Sequence, residues 1–188
     1  GTKFTIPSDR NEIVTFAIAS IMTKGDIFIE NITKHGLEEF ITVFEKAGGG
    51  IEIAKSGIRF FYKNEIKPVD ITTGFYPGFM TDWQGPWTVL MTQANGTSVI
   101  HETVYENRFS FVNELRKMGA SIELFNPKVK SPKTFYNFNY EDNKSEYRHA
   151  AKVTGSIKLH NGAIDISDLR AGATLVLAAL SASGESVV

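Results

Sequence analysis

One stretch of this sequence occurs twice. Lys46-Ala47-Gly48, followed by Ile51-Glu52-Ile53, returns as Lys117-Met118-Gly119, followed by Ile122-Glu123-Leu124. The same offset separates Gly25 from Gly96, and each of these glycines closes an apolar helical pattern. Two coincident offsets point to an internal duplication. A duplication limits the fold to architectures built from copies of one unit. A third copy opens at Asp168 and reaches Gly184.

The first copy defines the unit. Phe4-Thr5-Ile6 predicts a short strand. Pro7-Ser8-Asp9 predicts a helix start, with Asp9 as N-cap and Glu12 as its capping-box partner. The helix should run over about 10–23 and stop at Gly25. Asp26-Ile27-Phe28-Ile29-Glu30 predicts a strand. A second helix over about 37–46 carries Leu37, Phe40, Ile41, Phe44 and Ala47 on one stripe. Gly48-Gly49-Gly50 should stop it. Ile51-Glu52-Ile53 and Ile58-Arg59-Phe60-Phe61-Tyr62 then predict a hairpin around Lys55-Ser56-Gly57.

In the second copy a helix starts at Asp82, with Pro86 in its first turn, where proline costs least. Thr97-Ser98-Val99-Ile100-His101 is its strand, followed by a helix over about 110–118. In the third copy Asp168 opens a helix rich in leucine and alanine. The first helix of each copy is apolar nearly all round, the pattern of a helix buried on every side. The second is amphipathic and should lie half exposed. The expected fold class is therefore α/β: buried central helices wrapped by sheets and outer helices in a pseudo-threefold arrangement. The chain reads as one domain of three units, over about 1–74, 75–165 and 166–188, the last incomplete. Residues 126–165 break the pattern as an insertion. There Phe135-Tyr136-Asn137-Phe138-Asn139-Tyr140 and Ser145-Glu146-Tyr147-Arg148 predict a hairpin. Further strands are expected over 153–159 and 163–165, around Asn161-Gly162. Both chain ends look cut, as in a piece of a longer protein.

Composition narrows the function. A net charge of −1 gives no global field toward nucleic acid or an acidic membrane. The lysines among the aromatics of 128–147 are interleaved with Glu141, Asp142 and Glu146, so no nucleic-acid partner is expected there. Without cysteine there is no thiolate nucleophile or Cys-type zinc site. His35, His101, His149 and His160 lack metal-ligand spacing and are expected at the surface or in strands. Gly48-Gly49-Gly50 lacks the Gly-Lys-Ser/Thr ending of a phosphate loop. No apolar run is long enough to span a membrane.

Four strings carry a resemblance: Phe79-Met80-Thr81-Asp82-Trp83-Gln84; Glu102-Thr103-Val104-Tyr105-Glu106-Asn107-Arg108-Phe109; Glu114-Leu115 with Met118-Gly119-Ala120; and Asp168-Leu169-Arg170-Ala171 with Leu175-Val176-Leu177-Ala178. In these the chain resembles the enolpyruvyl transferases, most closely those acting on UDP-N-acetylglucosamine. The resemblance implies an inside-out α/β barrel domain of βαβαββ units with helices inside. It implies a two-domain enzyme with its active site in the cleft, of which this chain is most of one lobe, inactive alone. The implied reaction moves the enolpyruvyl group of phosphoenolpyruvate onto the sugar 3-hydroxyl, the first committed step of peptidoglycan synthesis in the cytoplasm. No cofactor or metal is expected. Transfer to shikimate 3-phosphate, or a non-catalytic module of the same fold, are the alternatives.

The resemblance also implies roles. Asp82 would be the catalytic base at the sugar hydroxyl and also bind substrate; a plain N-cap role is open at the same position. Val104 would contact substrate through its main chain, and Tyr105 would lie near the sugar. Glu106, Arg108 and Arg170 complete the expected substrate-binding set. Arginine in a helix's first turn opposes the helix dipole, which suits an anionic partner or a salt bridge to a nearby acid. Arg10 has the weakest case. Tyr76 stands where the family more often has histidine, and Met80 where proline is common.

Overall fold

The computed structural model describes residues 1–166 and 168–188. Asp9 caps α1 (Arg10–Met22), its carboxylate accepting the Asn11 amide at 2.7 Å. The left-handed residue that ends α1 is Lys24 (φ 54°), not Gly25. Lys24 N–H donates to Ile21 O and Gly25 N–H to Ser20 O, the double bond pattern that closes many helices.

After β1 (Asp26–Glu30), the amphipathic α2 (Glu38–Lys46) buries Leu37, Phe40, Phe44 and Ala47, as its stripe predicts. Of the three glycines only Gly48, at φ 104°, stops the helix. Gly49 and Gly50 begin β2 (Gly49–Ala54), where the Phe44 and Phe61 rings occupy the space a Cβ would need. A tight turn leads to β3 (Gly57–Tyr62), which pairs antiparallel with both β1 and β2. The expected strand at Phe4-Thr5-Ile6 does not form. Phe4 and Ile6 are exposed, and no strand edge among the described residues bonds them.

The second copy runs β4 (Ile71–Gly74), β5 (Phe79–Met80), a 3-10 turn (Thr81–Trp83), α3 (Gln84–Thr92), β6 (Thr97–His101), α4 (Val112–Lys117) and β7 (Ser121–Phe125). A short α5 (Pro132–Phe135) precedes β8 (Ala150–Thr154). The five-stranded sheet has the order β5-β4-β6-β8-β7. Its β6-β8-β7 part repeats the antiparallel order β1-β3-β2, and β4 adds to β6 in parallel. The duplication thus holds in strand order as well as in sequence.

Residues 126–149 are an excursion between β7 and β8, closed where Phe125 pairs with Ala150. The expected hairpin is absent. The aromatic side chains stack on one another instead of alternating across a pleat. Tyr136 lies 5.8 Å from Tyr140 and 5.0 Å from Phe138, with rings nearly parallel, and His101 stacks on Phe135 at 5.2 Å. His149, expected at the surface or in a strand, is buried against Tyr136 and Phe138. The strand expected over 153–159 begins earlier and ends at Thr154. Asn161-Gly162 makes no hairpin: the Asn161 amide donates to Ser183 O and its side chain to Glu185 O.

Asp168 caps α6 (Leu169–Ser181) by accepting the Arg170 and Ala171 amides. Helices α1, α3 and α6 all pack on one another. Only α3 is buried along its whole length. Helix α1 leaves Phe16 in solvent, and α6 leaves Leu169, Val176 and Leu180. The two sheets account for the difference, since β3 lies on α1 and β8 on α3, while no sheet among the described residues covers the outer face of α6. Helices α3 and α6 approach closely at Gly85, where a Cβ would sit 2.2 Å from Thr174 Oγ1. Around α3 the Phe40, Phe79, Trp83 and Trp87 rings meet edge to face, an arrangement favoured by the ring quadrupoles.

Candidate functional site

The helix packing brings the starts of α1, α3 and α6 together. Trp83 Nε1 donates to Asn11 Oδ1 at 3.1 Å, tying the start of α3 to that of α1. Asp82 ties it to α6. Asp82 was also a possible N-cap, but it sits within the 3-10 turn. The residue before α3 is Trp83, whose side chain makes no capping bond. Asp9 and Asp168 do cap their helices; the Asp82 carboxylate turns to two arginines instead. Its Oδ1 accepts Arg108 Nη2 at 3.0 Å and Arg170 Nε at 2.6 Å. Hydrogen bonding to Asp82 raises the Arg170 pKa further, so this guanidinium is firmly charged. No bond to Asp82 Oδ2 occurs among the described residues.

Exposure grades across this triad. The side chains of Arg108, Asp82 and Arg170 are 14%, 26% and 57% exposed. Arg108 therefore anchors the carboxylate from the protein side, and Arg170 covers it from the solvent side. The Arg108 guanidinium also lies 4.3 Å over the Tyr105 ring, a favourable cation–π position. Its Nε is buried without an acceptor among the described residues, as is Nε2 of Gln84. Both residues line a cavity of about 230 Å³ with Asp82, Asn107, Arg170 and Thr174. Buried donors without acceptors are costly, so this cavity is suited to oxygen atoms from outside the chain. A second, wider cavity holds Tyr105, Glu106, Arg108 and Arg170 together.

Five of the six expected site residues thus line one or both of two cavities that share Asn107, Arg108 and Arg170. Val104 is the exception in kind. Its side chain is buried, and its amide donates to Glu102 Oε1 at 2.7 Å, leaving only its carbonyl for a main-chain contact. Glu102 is the residue that sequence reasoning missed. It is 1% exposed and bonds three ways: Oε1 accepts the Val104 and Tyr105 amides, and Oε2 accepts the Thr81 hydroxyl at 2.8 Å. It therefore links the Asp82 turn to the loop that carries Tyr105, Glu106 and Arg108. Burial raises its pKa, and hydrogen bonding, led by the Val104 amide, offsets part of that rise. The signal was available: an acid directly after the apolar strand Val99-Ile100-His101 needs partners if it is buried.

Arg10 stands apart. It lies 5.8 Å from the Tyr76 ring centre and shares a cavity with His35 and Tyr76. Among the described residues no cluster of three His, Asp or Glu could hold a metal ion, and no helix is long and apolar enough to cross a membrane.

Comparison with known proteins fits this geometry. The chain is 40% identical over 177 residues to a protein of Chlamydia abortus named UDP-N-acetylglucosamine 1-carboxyvinyltransferase, matching 94% of this chain and 38% of that protein. Proteins of the same name from Protochlamydia amoebophila and Halothermothrix orenii are 37% and 38% identical, over 98% and 100% of this chain and 38% and 40% of theirs. The chain thus spans about two-fifths of the length of these curated relatives. The fold matches the enolpyruvyl transferase NikO from Streptomyces tendae with a TM-score of 0.74 at 24% identity, over 96% of this chain and 38% of that one. It also matches EPSP synthase from Acinetobacter baumannii, with a TM-score of 0.66 at 15% identity, over 98% of this chain and 39% of that one. With the model of EPSP synthase (3-phosphoshikimate 1-carboxyvinyltransferase) matching residues 1–188, the chain belongs to that family.

Proposed function

We propose that this chain forms most of one lobe of an enzyme that transfers the enolpyruvyl group of phosphoenolpyruvate to the 3-hydroxyl of UDP-N-acetylglucosamine. The observation that carries this reading is the Asp82 carboxylate, clamped through Oδ1 by Arg108 and Arg170. Its other oxygen, Oδ2, is the natural acceptor for a substrate hydroxyl. In the reaction the sugar oxygen bonds to C2 of phosphoenolpyruvate while C3 takes a proton. Asp82 removes the hydroxyl proton as that bond forms. Loss of a C3 proton and of phosphate then restores the double bond. Arg108 and Arg170 hold the carboxylate in place and supply positive charge beside the transferred groups. Tyr105 and Glu106 line the opening where the sugar would lie, and Val104 offers its carbonyl. A second lobe of the same protein would supply the remaining groups. The step would be the first committed one of peptidoglycan synthesis, carried out in the cytoplasm.

Transfer to shikimate 3-phosphate is the second reading, and the description of the family model favours it. The names and identities of the relatives favour the first. Phosphate release by the complete gene product decides between them. It should occur from phosphoenolpyruvate when UDP-N-acetylglucosamine is supplied. Equal turnover with shikimate 3-phosphate would refute the choice. The isolated chain should release none; turnover by it alone would show that no second lobe is needed.

A further inference from the structure

The excursion over 126–149 reaches back to the site. It is braced at several points. Asn137 N–H donates to Thr103 O at 2.7 Å, and Glu102 N–H donates to His149 O at 2.7 Å. Tyr136 Oη lies 3.2 Å from His101 Nε2. At the neck Asn126 Nδ2 donates to Tyr147 O, and Asn126 Oδ1 accepts the His149 amide. The ring stack fills the space between these bonds.

This bracing presents a turn at 144–147, in which Tyr147 N–H donates to Lys144 O. The residue before it, Asn143, is held by His149 at 3.0 Å. Asp142, Lys144 and Tyr147 form one wall of a cavity of about 480 Å³; Tyr105, Glu106, Arg108 and Arg170 form the other. Lys144 Nζ lies 5.7 Å from the Tyr147 ring centre, and no carboxylate pairs with it among the described residues. Asp82 takes one N–H of each arginine, so their remaining N–H groups still face an incoming anion, and Lys144 adds the one ammonium among the described residues that line this cavity. Glu106 and Asp142 on the same walls would repel a bare anion but accept bonds from hydroxyl groups. Donors for phosphate beside acceptors for hydroxyls suit a phosphorylated sugar better than a small phosphorylated acid.

We propose that the 126–149 excursion is a substrate-binding wall, in which Lys144 takes a phosphate of the sugar nucleotide and Tyr147 positions Lys144. The identity of the sugar nucleotide rests on the function proposed above; the phosphate site does not. The test uses the complete gene product and its Lys144→Met, Lys144→Arg and Tyr147→Leu variants, each checked for an unchanged melting temperature. Steady-state turnover is measured against each substrate in turn, and direct binding of UDP-N-acetylglucosamine and of phosphoenolpyruvate is measured by calorimetry. Lys144→Met should raise KM and Kd for the sugar nucleotide by about tenfold or more, the size of a lost charge-assisted bond. The phosphoenolpyruvate values should stay within about twofold, and Lys144→Arg should recover most of the loss. Tyr147→Leu should give a smaller effect on the same substrate. A rise confined to phosphoenolpyruvate would overturn the assignment to the sugar nucleotide. Unchanged binding of both ligands in Lys144→Met, or no binding of either by the unmodified protein, would overturn the wall itself. Binding that depends on Lys144 without any turnover would refute the proposed reaction and leave the wall standing.

Discussion

Arg170 Nε donates to Asp82 Oδ1 at 2.6 Å across a sequence separation of 88 residues. That bond joins the first turn of α6 to the turn before α3, and with Arg108 it leaves a single carboxylate oxygen open. In the complete gene product Asp82→Asn should lower kcat by about 100-fold or more, with KM changed much less, as expected for loss of a general base. Arg170→Ala should lower kcat and raise KM together. Because the pair is partly exposed, neither change should lower the melting temperature by more than a few degrees. Full activity in Asp82→Asn would remove the base from this position.

Glu102 tests whether the loop is set from behind. It is buried and lines neither cavity of the site, yet its carboxylate holds the Thr81 hydroxyl and the Val104 and Tyr105 amides. Glu102→Gln keeps the shape but turns one acceptor into a donor facing donors. It should cost about 1–3 kcal/mol of stability. Activity should fall at temperatures where the variant is still folded, with KM for both substrates raised. Thermal denaturation paired with kinetics separates the two effects. A variant that loses stability and keeps wild-type KM values would reduce Glu102 to a core residue.

How much of this could be read beforehand follows from how far each cause reaches. Helix starts at Asp9 and Asp168 were legible because a cap acts on amides two or three residues away. Asp82 has the same local signature but a different partner, and only the fold of α6 reveals it. The duplication was legible in Gly25 and Gly96, and the paired sheet orders follow from it. The Phe135 to Tyr140 run misled because alternating aromatics suit a pleated strand and a ring stack equally well. Phe4-Thr5-Ile6 has the composition of a strand, but a strand needs an edge to pair with, which its own residues cannot supply. In the sequence Lys144 counts only as one of the lysines among the aromatics of 128–147 and draws no role of its own, since a lysine in a polar turn is usually just solvated.

The ring stack makes stability depend on pH. Burial holds the His101 pKa at about 4, with the neighbouring charge of His149 adding to the drop. The His149 pKa is itself lowered, chiefly by burial. In the unfolded chain a histidine takes up its proton near pH 6.5. Between those values the unfolded state binds the proton and the folded state does not. The contribution is therefore intact above about pH 6.5 and is lost as the pH falls toward 4. Glu102, whose pKa is raised, acts in the opposite sense: its folded state binds the extra proton as the pH falls, which favours folding. Comparing the wild type with His101→Phe cancels Glu102, since both proteins contain it. The melting temperature of the wild type should drop more steeply from pH 7 to pH 4 than that of the variant. Parallel curves would place the acid sensitivity elsewhere.

The last prediction concerns the contact that sets the distance between α3 and α6. At Gly85 an added Cβ would come within 2.2 Å of Thr174 Oγ1, although the Thr174 Cβ and Cγ2 stay at 3.4 and 3.5 Å. Only one atom stands in the way, and it is the hydroxyl of a side chain fixed within a helix, with its bond to Arg170 O. Gly85→Ala alone must push the helices apart or turn that side chain, at about 1–3 kcal/mol. It should also lengthen the Asp82–Arg170 bond, because both residues lie within one turn of the contact. Activity and melting temperature should therefore fall together. Adding Thr174→Ala removes the obstructing atom and leaves ordinary contacts, so the double variant should recover most of both losses. Recovery beyond the sum of the single effects is the signature of direct contact. Simple additivity would mean that the helix spacing, and with it the placement of Arg170 over Asp82, is set somewhere other than at Gly85.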